Sequence, residues 1–229
     1  MAYRRTEKVQ RRLQARYDAI IAAARELAAD HGMAAVQIAP VARRAGIAAG
    51  TVYRYFPSKT EMVVALVSSV SEREIAAMRW AADRAPGPLS ALAAAIATFA
   101  ARALADRRLA WAVLAEPVDP ELASVRIAYR RALAGEVASR LDAAIGAGHV
   151  PAQEAALAAA ALVGALIEGL IGPLAPEGRH AAGKAHEAAQ TLTLLALRAL
   201  GVVDARARGL VVQTPLPSPD DKHRQLTDG

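Results

Sequence analysis

The stretch GIAAGTVYRYFPSK, residues 46–59, decides the fold. It places Tyr53, Tyr55 and Phe56 within four positions of a chain that has only two Trp, five Tyr and two Phe in 229 residues. Gly46 closes a short helix predicted over residues 38–45, whose Val41, Ala42 and Ala45 face inward and whose Pro40 is tolerated in the first turn. A tight turn through Ile47 to Ala49 leads to a second short helix over residues 50–56, with Val52 and Phe56 four apart on one face. Two short helices joined by a glycine turn describe a helix-turn-helix.

Upstream, Leu13, Tyr17, Ile20, Ile21, Ala24, Leu27 and Ala28 recur at steps of three and four, a helical stripe that stops at Gly32. His31 in the last turn suits the negative end of the helix dipole. Downstream, Pro57 blocks extension of the second short helix. Ser58, Lys59, Thr60 and Glu61 then form a capping box for a long helix reaching about residue 83, before the Ala85-Pro86-Gly87-Pro88 break. Further helices are expected over residues 89–106, around Trp111, and over 120–145, 151–171 and 181–200. Pro120 and Pro151 are assigned to first turns, and Gly146 and Gly201 to C-terminal caps.

The fold class is therefore all-α: a basic arm at residues 1–13, a helix-turn-helix domain at 14–74, a helical bundle of about five helices at 75–205, and a proline-rich, polar tail at 206–229 that is expected to be disordered. Composition agrees, because 54% of residues are hydrophobic but only 4% aromatic, a balance rich in helix-forming alanine and leucine. The apolar run at residues 156–175 approaches the length of a membrane span. Glu168 interrupts it, so a helix covered by its own bundle and by a second subunit is the expected reading.

Charge divides unevenly. Residues 1–60 hold eleven basic against four acidic side chains, a net of +7, whereas the other 169 residues net −1. A polyanion-binding domain joined to a neutral partner domain has this distribution. There is no cysteine, which excludes disulfides and thiolate sites. The first 21 residues lack an apolar signal core, and a cytoplasmic location is expected. The histidines show no metal-ligand spacing, and no metal or cofactor is expected.

On the second short helix, Ala48, Thr51, Arg54 and Tyr55 share the face opposite Val52 and Phe56. The Thr51 and Tyr55 hydroxyls and the Arg54 guanidinium suit phosphate oxygens, Tyr53 reaches a neighbouring phosphate, and Lys59 adds charge at a helix N-terminus. Gly50 permits close approach to base edges, and the Ala48 and Ala49 methyls suit thymine methyls.

AADHGMAAVQIAPVARRAGIAAGTVYRYFPSKTEM, residues 28–62, closely resembles the DNA-binding domain of TetR/AcrR-type transcriptional regulators. The resemblance lies in Ala42, Ala45, Gly46, Gly50, Thr51, Tyr53, Tyr55, Phe56 and Lys59, and covers about residues 14–74. It implies a homodimer that binds a palindromic double-stranded DNA operator, with Thr51, Tyr53, Tyr55 and Lys59 on phosphates and Gly50 near bases. Members often carry Ser or Thr where this chain has Gln37 and Ala48; losing such a cap costs roughly 0.5–2 kcal/mol. Arg43, Arg44, Arg54 and the basic arm from Arg4 to Arg16 are therefore expected to supply much of the affinity.

The resemblance further implies that the helices over 151–171 and 181–200 pair with their copies across a dimer, and that the intervening helices enclose an effector pocket. Met78, Phe99, Arg102, Trp111, Leu114, Arg126, Tyr129 and Glu168 are its candidate lining residues. The expected function is a ligand-responsive transcriptional repressor; the alternative is a helical protein that binds nucleic acid without sequence preference. No nucleophile elbow, phosphate loop or zinc-protease motif is present, so an enzyme is not expected.

Overall fold

The computed structural model describes residues 2–117, 120–176 and 182–216. Ten α-helices follow in order: α1 Ala2–His31, α2 Ile38–Arg44, α3 Ala49–Tyr53, α4 Lys59–Asp83, α5 Pro88–Ala105, α6 Arg107–Leu114, α7 Ala123–Gly146, α8 Ala155–Leu170, α9 Ala182–Ala199 and α10 Asp204–Gln213. No strand occurs among the described residues.

The first three helices and the start of α4 close over one small core. Ile20 and Ala24 of α1, Val41 of α2, Val52 of α3, and Met62 and Leu66 of α4 are all fully buried, and Phe56 joins them at 4% exposure. The Tyr17 and Phe56 rings meet at 5.1 Å between centroids. Between α2 and α3, Ile47 N–H donates to the Ala42 carbonyl and Gly46 N–H to that of Arg43, a Schellman ending that needs a left-handed residue. Gly46 supplies it with φ of +65°.

α4 leaves this domain and packs against α5 and α7. α5 forms the centre of the second domain, with α4, α7 and α9 around it and α10 at one edge. Leu92, Ile96 and Ala100 on it are fully buried. α5 alone among the described helices has the length and apolarity of a membrane span, and most of it lies inside the bundle. The helix expected over 151–171 is shorter at its start, because α8 begins at Ala155, and it ends at Leu170, within the apolar run at 156–175.

A charged strut ties α4 to α7. Glu136, 6% exposed, accepts from Arg79 Nε at 2.8 Å and from Arg140 Nε at 2.8 Å, and Arg140 also meets Asp83 at 2.8 Å. A buried carboxylate is tolerated when hydrogen-bonded cations compensate its lost hydration.

Several boundaries differ from the sequence reading. The basic segment at 1–13 is no separate arm, since helical backbone runs from Ala2. α7 extends through Gly146, and Gly148, with φ of +70°, makes the turn that follows. Pro151 precedes α8 by four residues and packs against Gly201. Residues 204–213, assigned to the tail from 206 onward, form α10 instead, because Ala207 and Val211 bury against the bundle. The tail beyond residue 216 lies outside the described residues.

Candidate nucleic-acid interface

α3 turns its polar side outward as its apolar spacing requires. Val52 and Phe56 are buried, Ala48, Gly50 and Arg54 are exposed, and Tyr53 is 53% exposed. Thr51, Tyr55, Ala49 and Lys59 are half-buried at the margin. The helix closes at Tyr53, so Arg54 and Tyr55 lie in a turn held by the N–H groups of Tyr55 and Phe56, which both donate to the Val52 carbonyl at 2.9 Å. Ala48 occupies the N-cap with extended backbone and no side-chain cap bond, and Gln37 at the start of α2 likewise donates to the Ala34 carbonyl without capping. The Ser58 hydroxyl accepts from the Glu61 amide at 3.1 Å, as its capping motif predicts.

The basic residues differ in their partners. Arg43 is exposed beside the turn. Arg44 is occupied: its guanidinium meets Glu26 and Asp30 of α1, each at 3.1 Å, and those hydrogen bonds raise its pKa. It thus joins α2 to α1 at the edge of the expected interface. Lys8, Arg11, Arg12 and Arg16 line the exposed N-terminal part of α1, where Gln10, Arg11, Leu13, Gln14 and Tyr17 border an open groove completed by Tyr55. A helix therefore carries basic residues up to the recognition turn.

The eight expected pocket residues separate into three places. Met78, Phe99 and Tyr129 are buried on α4, α5 and α7, close to Arg102, which binds Glu74 through Nε at 2.6 Å and Nη2 at 2.7 Å. Burial pushes the Tyr129 phenol pKa well up; Glu74 adds to this and Arg102 opposes it. Glu74 escaped the sequence reading because it sits one turn before Met78 in a helix rich in charged residues. Leu114, Trp111 and Arg126 gather at the C-terminal end of α6. Glu168 stands apart, accepting the Leu174 amide at 2.8 Å in the turn after α8.

α6 also meets the first domain. Met33 N–H donates to Glu116 Oε2 at 2.9 Å, Arg108 donates to the Asp30 carbonyl, and Arg25 lies 3.5 Å from Asp106. A side chain at Gly32, where φ is +82°, would come to 3.3 Å from the Glu116 carboxylate. Among the described residues no cluster of His, Asp or Glu could hold a metal.

An exposed α3 beside a glycine turn, flanked by a basic α1, defines a helix-turn-helix DNA-binding module on a helical second domain. Residues 20–66 match the model of bacterial regulatory proteins, tetR family, so this domain is of the TetR type. Over 54 residues the chain is 46% identical to the HTH-type transcriptional repressor KstR of Rhodococcus jostii (strain RHA1), a match that spans 24% of this chain and 26% of that protein. The whole fold is similar to that of RolR in complex with resorcinol, at a TM-score of 0.65 and 23% identity over 92% of this chain and 98% of that one. It is also similar to the fatty acid degradation regulator FadR of Bacillus halodurans, at a TM-score of 0.70 and 21% identity over 82% of this chain and 97% of that one.

Proposed function

We propose that the protein is a cytoplasmic, homodimeric transcriptional repressor that binds a palindromic operator and releases it when a small effector binds the second domain. The observation that carries the reading is α3 and the turn after it: the buried side is apolar, and Thr51 and Tyr53 of α3, Arg54 and Tyr55 of the turn, and Lys59 at the start of α4 lie exposed or half-buried near Gly50. A methyl group placed on Gly50 would meet no atom within 4 Å, so that surface lies open to base edges. The 54-residue KstR match supports DNA binding. No catalytic role is assigned.

In this reading the dimer forms through α8 and α9. Leu157 is 64% and Leu195 56% exposed, and Ala160 and Gly164 lie on the exposed side of α8. Large apolar side chains beside small ones on two long helices suit a four-helix contact with a second copy. Effector release then requires a ligand that favours the domain arrangement that fits DNA poorly.

A gel-shift titration on DNA flanking the protein's own gene tests the reading. A discrete shift at nanomolar protein that survives competitor DNA is expected, with affinity falling steeply between about 50 and 200 mM salt. Equal binding to any duplex would favour the nonspecific alternative, and a flat salt response would remove the basic α1 surface from the interface.

A further inference from the structure

The C-terminal end of α6 holds two arginines that DNA reading does not use. Arg126, 8% exposed, donates Nη1 to the Glu116 carbonyl and Nη2 to the Ala112 carbonyl. Arg130, one turn later on α7, donates Nη2 to the Leu114 carbonyl at 2.9 Å. Both guanidinium groups thus cap a helix end that would otherwise leave carbonyls unpaired. Among the described residues neither forms an ion pair with a carboxylate, and the acid beside them, Glu116, turns its carboxylate to the Met33 amide.

A cleft of about 250 Å³ opens against these two side chains, walled by Leu114, Pro117, Ala123 and Ile127. Burial pulls the Arg126 pKa down; Glu116 opposes this, and Arg130 adds to it. Glu116 also borders the recess, and among the described side chains no carboxylate is ion-paired with either cation, so two guanidinium groups beside an apolar wall complement a ligand with a negative head and an apolar body. The volume is below the roughly 300–1,000 Å³ of sites for drug-sized ligands, which limits the apolar body to a short one.

We propose that this cleft binds a small amphipathic monoanion, a carboxylate on a short apolar body, whose oxygens take over the Arg126 and Arg130 donors from the α6 carbonyls. A carboxylate can accept from a guanidinium through two parallel hydrogen bonds, which a single carbonyl oxygen cannot match in energy or geometric specificity. Glu116 makes the consequence specific: its carbonyl is held by Arg126 while its carboxylate holds Met33 in the DNA-binding domain. Withdrawal of Arg126 frees Glu116, one of the residues that join the two domains. The binding stands by itself; its effect on DNA rests on the repressor reading above.

Trp80 and Trp111 are the two indoles of the chain, so a Trp80→Phe background leaves Trp111, adjacent to Ala112, as reporter. Its emission is titrated with hexanoate, hexanol and hexylamine up to about 10 mM, and a labelled operator duplex is followed in parallel by anisotropy. Saturable binding of hexanoate, at least about tenfold weaker binding of hexanol and no response to hexylamine are expected. Arg130→Gln, at an exposed position, is expected to weaken hexanoate about tenfold, whereas Arg206→Gln on α10 leaves it unchanged. Arg126→Gln, checked for folding by circular dichroism, should behave as Arg130→Gln does. Hexanol binding as tightly as hexanoate, no response to hexanoate, or unchanged binding in Arg130→Gln would overturn the site. Hexanoate binding without release of bound duplex would overturn the coupling alone. Failure to bind any duplex would overturn the repressor reading, while the Trp111 titration still decides the site.

Discussion

Tyr53 and Tyr129 show how one residue type takes opposite roles. Tyr53 is 53% exposed on α3, and its hydroxyl is available to phosphate. Tyr53→Phe is expected to weaken DNA binding about three- to tenfold in a gel-shift titration, the loss of one net hydrogen bond, with an unchanged circular dichroism spectrum. Tyr129 is 2% exposed, and burial raises its pKa above the ordinary phenol value. A group with a raised folded pKa contributes fully below its unfolded pKa and loses that contribution as pH rises. Urea midpoints are therefore expected to fall as pH passes about 10, and to fall less steeply in Tyr129→Phe. Arg44 differs at the same scale from its expected share of the DNA affinity, because Glu26 and Asp30 hold its guanidinium.

At the scale of elements, local sequence signals succeeded where a helix carried its own start and stop. Ser58 and Glu61 begin α4, and Gly46 ends α2, both readable without any other part of the chain. α3 is the weak element. Its N-cap Ala48 has φ of −71° and ψ of 145°, a conformation that suits a capping serine, yet no side chain caps it. Ala48→Ser is expected to stabilise the protein by about 0.5–1 kcal/mol in urea unfolding; an unchanged midpoint would show that the α3 amides are already satisfied. α10 was missed because its polar, arginine-rich sequence has a weak apolar stripe. Its order depends on Ala207 and Val211 meeting the bundle and on Asp204 bridging Arg198 and Arg208. Neither partner surface is visible in local composition.

For the whole molecule, the question is how two domains and two copies are joined. Leu195, 56% exposed on α9, lies on the proposed dimer face. Leu195→Glu is expected to shift sedimentation toward a monomer and to weaken operator binding together with it, because a dimer reads two half-sites at once. A dimer that persists would move the interface elsewhere.

The sequence by itself determined the helix-turn-helix, its buried Val52 and Phe56, its outward Tyr53 and the concentration of positive charge in the first quarter of the chain. These depend on helical periodicity, turn glycines and caps, all of which act within a few residues. Tertiary structure decided that the basic segment continues α1, that Glu74 holds Arg102, and that Glu168 folds back on its own turn instead of joining the interior. It also decided that Glu116 reaches Met33 across 83 positions of chain. Such pairings follow from how the helices cross, and a carboxylate carries no local sign of which distant amide or guanidinium it will meet.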